Sequence, residues 1–246
     1  MEALVHSVET AGALDGPGLR YVLFLKGCPF RCKFCHNPDT WALPGGERKS
    51  LEEVLADIAK YESFFKFTGG GVTLSGGEPL VQAEFAAALF GALKARGVHT
   101  CLDTCGCADI GKPEVLSCVE NSDLVMLDIK HLDESVHKFL TGRSGAETLE
   151  FLKLLERLKK RVCIRIVLLR GISASLEYAD KLCDFLKAYS CVELVELLPY
   201  HTLGVEKWKN LGLKYELGEG LIPDEGELCA FESRLNARGV KTLRKS

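Results

Sequence analysis

The sequence predicts an α/β fold organised on a parallel sheet, closed into a barrel, partly closed, or open. Three observations predict it. The run Tyr21-Val22-Leu23-Phe24-Leu25 is continuously apolar rather than alternating, as a strand buried on both faces requires. Similar runs recur down the chain with helix-length patterned segments between them, and parallel strands need such crossovers. Glycine, charged and histidine residues also gather just after these runs, at the strand ends where parallel α/β proteins place their sites.

In order, His6 to Gly18 reads as a polar, glycine-rich loop in which Asp15-Gly16-Pro17-Gly18 is a turn, because proline fixes φ and glycine permits positive φ. The strand 21–25 follows, then a cysteine-bearing loop at its C-terminal end. Ser50-Leu51-Glu52-Glu53 pairs an N-cap serine with a capping-box glutamate, and Leu51, Val54, Leu55 and Ile58 continue at helical spacing. Gly71 to Ser75 reads as strand, Gly76-Gly77-Glu78-Pro79 as turn, and the alanine-rich stretch to Arg96 as helix. Further strands are expected near Val98 to Asp103, Leu124 to Ile129, Val162 to Leu168 and Val192 to Leu198. Between them lie helical patterns near Lys112 to Glu120, Glu147 to Lys160 and Ser175 to Ala188. From about Leu203 the pattern loosens, with an acidic glycine-rich stretch, Glu216 to Glu227, before a helix at Asp224 to Arg238. That tail is expected to close the side or bottom of the barrel.

Composition excludes several classes. The chain has 246 residues, 47% hydrophobic and 26% charged, enough for a sizeable core in one domain covering 1–246. A net charge of -3 offers no footprint for nucleic acid, and the basic tail Arg238 to Lys245 reads as a solvated end. No stretch is apolar and long enough to span a membrane, and the start lacks a signal pattern. Eleven cysteines in so large a chain argue for a reducing, cytoplasmic setting rather than a disulfide scaffold.

The chemistry concentrates in Lys26 to Pro38, where Cys28, Cys32 and Cys35 form C-x3-C-x2-C. Structural zinc normally takes four ligands, so three thiols on one loop point to a metal or cluster with an open position. Gly76-Gly77 permits close approach to the backbone, as a turn or as a ligand loop. Asp128 and Lys130 flank Ile129 and project to one side of their strand, as an ion pair or as ligand contacts. Arg165 and His201 carry the same two readings. Asp103-Thr104 with Met126 and Asp128 offers oxygen donors suited to a hard cation, or a hydrogen-bonded carboxylate pair. Cys101, Cys105 and Cys107 read as small buried hydrophobes or as a second metal site.

C-x3-C-x2-C with Phe34 before its last cysteine resembles the cluster motif of radical S-adenosylmethionine (SAM) enzymes. With Cys35-His36-Asn37-Pro38-Asp39-Thr40-Trp41 and Asp15-Gly16-Pro17-Gly18-Leu19-Arg20, the chain is similar to glycyl-radical-enzyme activating enzymes, in the branch acting on pyruvate formate-lyase. The resemblance runs from about His6 to about Gly204 and implies a partial (β/α)6 barrel, with a core of about 15–204 and an extension of about 205–246. It implies one 4Fe-4S cluster on Cys28, Cys32 and Cys35. It implies S-adenosyl-L-methionine against Phe34, Cys35, His36, Gly77, Glu78, Asp128, Ile129, Lys130, Arg165 and His201. A monovalent cation is implied at Asp103, Thr104, Met126 and Asp128. The protein substrate would be a pyruvate formate-lyase-like glycyl radical enzyme, whose glycine loop meets Asp15, Gly16 and Pro17 beneath a flexible loop. A flavodoxin or ferredoxin-like donor and a monomeric chain complete the expectation. Between Trp41 and Gly69 there is no cysteine, so the ferredoxin-like insert of some relatives is absent. Two other classes stay open: a radical SAM enzyme acting on a small molecule, as the deazaguanine synthases do, and a non-catalytic metal-binding module.

Overall fold

A computed structural model describes residues 1–245. Its nine strands are β1 (Glu2–Gly12), β2 (Arg20–Leu25), β3 (Glu47–Ser50), β4 (Gly71–Gly76), β5 (His99–Thr104), β6 (Leu124–Asp128), β7 (Val162–Leu168), β8 (Val192–Pro199) and β9 (Thr242–Arg244). They form one sheet in the order β3-β1-β2-β4-β5-β6-β7-β8-β9. From β2 to β9 every neighbouring pair is parallel, while β1 and β3 add antiparallel pairs at one edge. Among the described residues β3 and β9 do not pair, so the sheet stays open, as a partial barrel does.

The helices are α1 (Leu51–Ala59), α2 (Glu62–Thr68), α3 (Ala83–Ala95), α4 (Pro113–Glu120), α5 (Glu134–Thr141), α6 (Ala146–Arg157), α7 (Leu176–Leu186), α8 (Val205–Asn210) and α9 (Glu225–Ala237). Leu23, Leu74, Leu102, Leu127 and Ile164 share one buried core with Phe85, Leu89, Phe151 and Leu182 of the helices. The alternate residues form the inner face, where Cys101, Met126 and Cys163 make a small buried cluster of their own. Parallel register then sets Asp103 beside Met126, Asp128 beside Arg165, and Arg165 beside Glu196. Carboxylates and a guanidinium thus collect along the inner strand ends.

Two expectations change. The 6–18 stretch is not all loop, because β1 runs to Gly12 with several exposed residues and two register shifts, which hide its alternation. The basic tail is not a solvated end: β9 extends the sheet, and Lys245 Nζ lies 3.3 Å from Glu196 Oε1.

The loop 13–19 joins β1 to the start of β2, so it lies at the opposite strand end from the cysteine loop. It is pinned rather than flexible. Arg20, with no exposed surface, donates to Thr73 Oγ1 (2.9 Å), the Val72 carbonyl (2.6 Å) and the Pro17 carbonyl (3.4 Å). Thr73 Oγ1 donates in turn to the Asp15 carbonyl at 2.7 Å. Gly16 and Gly18 have φ of 126° and 67°, and a Cβ on Gly18 would lie 2.5 Å from the Gly70 nitrogen. Lysine cannot reproduce the guanidinium fork, so Arg20→Lys is expected to cost about 2 to 3 kcal/mol in urea unfolding. A loss below about 0.5 kcal/mol, the range of an ordinary surface change, would contradict this anchoring.

Candidate active site

A cavity of about 880 Å³ occupies the barrel interior, within the range of pockets that enclose small ligands. Cys28, Cys32 and Cys35 line it from the end of β2. Gly27, at φ 94°, turns the chain off the strand, and its N–H donates to the Thr40 carbonyl at 2.7 Å. Cys28 N–H donates to the Trp41 carbonyl, and Cys35 N–H to the Cys32 carbonyl. From outside, Arg31 N–H and Lys33 N–H donate to the Thr141 and Leu140 carbonyls at the end of α5, both at 2.8 Å. Trp208 of α8 donates from Nε1 to the Cys35 carbonyl, also at 2.8 Å. The loop is therefore held in shape by the protein itself. Burial pushes the Cys32 and Cys35 thiols up, whereas a hydrogen bond from Cys105 draws Cys28 down.

The β4 turn serves this loop. A Cβ on Gly77 would stand 2.2 Å from the Gly27 carbonyl oxygen, so only glycine lets the two loops pass. Glu78 is fully buried, and its carboxylate accepts from Leu80 N–H, Thr104 Oγ1 and Cys105 N–H at 3.0, 2.7 and 2.7 Å. Burial raises its pKa against the pull of those bonds. Glu78 ties the loops together and does not face the cavity, in contrast to its neighbour Gly77, which does.

On the strands, Lys130 Nζ is 2.7 Å from Asp128 Oδ2 and 5.6 Å from the centre of the Phe34 ring. Burial works to strip the lysine's proton, but Asp128 and Cys32 outweigh it and keep the group charged. Ile129 between them packs into the helix-side core, which leaves only its backbone near the site. Asp103 accepts from Arg165 Nη1 (2.9 Å) and Ser75 Oγ (2.7 Å), and the Asp103 charge holds the Arg165 pKa up. Met126 lies below, packed on Cys101 and Cys163. Asp103, Thr104, Met126 and Asp128 do lie on adjacent strand ends, but both carboxylates already hold a cationic side chain. His36 and His201 pack with ring centres 4.4 Å apart and planes tilted by 41°, and burial followed by the His201 charge lowers the His36 pKa.

Asp15 reaches the same cavity from the opposite end, where burial and then Asp103 raise its carboxyl pKa. Gly16 and Pro17 support that approach without lining the cavity. Glu196 and Lys245 belong to the site although sequence reasoning passed over both. Glu196 was open to detection, since it is the one charge at inward parity in β8, Glu193 lying at the opposite parity and pairing with Arg161.

These observations also test the fit of the group the motif implies. Among the described residues no three His, Cys, Asp or Glu side chains converge as a single-ion site requires. A cluster asks for less convergence, because each thiolate binds a different iron. Arg165 Nε and Glu196 Oε2, buried and without a closed hydrogen bond, face each other as an ion pair 3.5 Å apart, and Arg165 lines the cavity beside Lys130 and the three cysteines, a charged lining that suits a polar ligand.

Residues 22–185 match the family model of the radical SAM superfamily. A pyruvate formate-lyase-activating enzyme of Staphylococcus aureus is 45% identical over 240 residues, covering 96% of each chain. The chain belongs to this radical SAM family of activating enzymes. A domain of a pyruvate-formate lyase-activating enzyme from Bacteroides vulgatus superposes with a TM-score of 0.60 at 25% identity, over 72% of this chain and 100% of that one. Streptococcus suis SuiB bound to precursor peptide SuiA gives a TM-score of 0.71 at 16% identity, over 95% of this chain and 50% of that one, a likeness of fold. In this radical SAM chain the cluster motif, the interior charges and the glycine-rich floor loop share one cavity. No helix among the described residues is long and apolar enough to cross a membrane.

Proposed function

We propose that the chain activates pyruvate formate-lyase or a closely similar glycyl radical enzyme, using a 4Fe-4S cluster held by Cys28, Cys32 and Cys35. The observation that carries the reading is that those three thiols line the same cavity as Lys130, His36 and Asp15. When bound, the cluster supplies one electron to S-adenosylmethionine, whose cleavage to methionine yields the 5'-deoxyadenosyl radical that takes a glycine Cα hydrogen. The chain's own residues position and shield. Lys130 presents a cation to the methionine carboxylate, and Gly77 leaves room for the methionine amino group. Asp128 and Arg165 face the ribose side. His36, kept neutral by burial, and Phe34 and His201 offer ring faces and edges to the adenine. Asp15, with Gly16 and Pro17 shaping its loop, meets the incoming peptide. A monovalent cation at Asp103, Thr104, Met126 and Asp128 belongs to the same proposal, supported by oxygen donors on adjacent strand ends, where Asp103 now pairs with Arg165 and Asp128 with Lys130.

With reconstituted protein and dithionite, methionine and 5'-deoxyadenosine should appear from S-adenosylmethionine in equal amounts. No cleavage by iron-loaded protein would count against the proposal. Lys130→Ala should weaken S-adenosylmethionine binding by about tenfold to a hundredfold, the worth of a charge-assisted hydrogen bond, with iron content unchanged. Unaltered affinity in a direct titration would leave Lys130 as the partner of Asp128 only.

A further inference from the structure

Cys101, Cys105 and Cys107 stand close in sequence, but the fold sends them to three different places. Cys101 packs with Met126 and Cys163 on the inner face, and Cys107 donates from its thiol to Glu147 Oε2 at 2.6 Å. Cys105 lines the interior cavity with Cys28, Cys32 and Cys35, and its thiol is hydrogen-bonded to Cys28.

The backbone around Cys105 is fixed on both sides. Glu78 N–H donates at 2.7 Å to the carbonyl of Gly27, the residue before Cys28, and the Glu78 carboxylate accepts from Cys105 N–H, also at 2.7 Å. Glu78 therefore staples Cys105 to the start of the cysteine loop. The Cys105 carbonyl accepts from Thr148 Oγ1 of α6 at 2.7 Å. Gly106, at φ 66°, turns the chain where a Cβ would lie 2.9 Å from Leu127 Cδ1. The thiol is buried in one apolar cluster with Phe30, Cys32 and Phe34, a setting in which a hydrogen bond counts for more than it does in water. Two acceptors, Glu78 and Cys28, border its single proton. Glu78 already holds three other donors, Leu80 N–H, Thr104 Oγ1 and Cys105 N–H, which leaves the thiol proton for the Cys28 sulfur.

We propose that Cys105 is a positioning residue for the cluster, its S–H donating to the Cys28 sulfur and raising the potential at which the cluster accepts its electron. The inference rests on the cluster reading above. Reduction adds negative charge that the cysteine sulfurs share, and a donor aimed at one of them favours the more negative state. The electron comes from the reductant and the proton stays on Cys105, so the step is a one-electron reduction and nothing else moves.

The test is an anaerobic redox titration of the iron-loaded chain without S-adenosylmethionine, followed by electron paramagnetic resonance of the reduced cluster, with Cys105→Ala and Cys105→Ser compared. At a given solution potential Cys105→Ala should be about tenfold harder to reduce, a shift of about 59 mV to the negative side for a one-electron couple. Cys105→Ser, which keeps a donor at the same place, should stay within about twofold of the unchanged chain. Iron content should be equal in all three. An unchanged potential in Cys105→Ala overturns the inference and assigns the thiol proton to Glu78. So does an equal shift in both variants, which would make the effect one of packing, and so does loss of iron from Cys105→Ala, which would make Cys105 a ligand. If the unchanged chain holds no reducible cluster, the reading beneath the inference falls as well, which separates the two failures.

Discussion

Replacing any one of Cys28, Cys32 or Cys35 by alanine should abolish the iron–sulfur cluster: reconstituted under anaerobic conditions, the unchanged chain is expected to carry about four irons and four sulfides, and each variant essentially none. The expectation follows from the loop's construction. Its backbone is fixed by the 40–41 carbonyls, the end of α5 and Trp208, so the thiols are presented by protein structure that does not depend on the cluster. Each variant should therefore remain folded, and iron and sulfide analysis alongside circular dichroism separates loss of cluster from loss of fold. Stoichiometric zinc without iron in the unchanged chain would contradict the assignment, as would full iron retention in Cys32→Ala. Air should bleach the cluster of the unchanged chain, since one iron lacks a cysteine.

The second large effect is expected at the other end of the cavity. Asp15→Ala should slow glycine activation by about a hundredfold, because hydrogen transfer depends steeply on how the peptide is placed. Slow cleavage of S-adenosylmethionine in the absence of partner should be spared. The two rates can be read in one reaction, by spin counting and by quantifying 5'-deoxyadenosine. A parallel fall in both would mean that Asp15 acts on the cofactor and not on the peptide. The position motivates the separation: Asp15 stands on a pinned loop at the start of β2, across the cavity from the cysteines at that strand's end. Its raised pKa arises from burial first and Asp103 second. As pH falls through that raised value the carboxylate is lost earlier than an ordinary aspartate would lose it.

What could be read from sequence divides along a physical line. Strands such as Leu124–Asp128 and Val162–Leu168 are legible because burial on both faces leaves a continuous apolar run, and the charges that interrupt them at inward parity mark the site. The capping box at Ser50 and Glu53 is equally local, and it forms as expected, with Ser50 N–H donating to Glu53 at 2.7 Å. β1 escaped because a half-exposed edge strand with two register shifts loses its alternation. α8 is too short to announce itself by periodicity, and α5, as long as α4, was passed over; both grip the cysteine loop through long-range bonds that no spacing rule encodes. Asp133 before α5 and Gly142 after it were the available signals, an N-cap and a left-handed stop. Glu78 shows the limit of motif reasoning. It follows Gly77 directly, but its side chain turns away from the cavity to three donors that only the folded chain brings together. Lys245 shows the same limit from the opposite side, since a tail lysine reaches the site only once β9 has joined β8.

The central claim, that this cavity generates a radical on a glycine of a partner protein, is tested most directly by electron paramagnetic resonance. The measurement takes pyruvate formate-lyase incubated anaerobically with the iron-loaded chain, a reductant and S-adenosylmethionine. A glycyl doublet on the partner is expected, dependent on all three components and absent with the cysteine variants. No glycyl signal on pyruvate formate-lyase or any other glycyl radical enzyme, while the same preparation cleaves S-adenosylmethionine in step with turnover of a pterin-like small molecule, would contradict it.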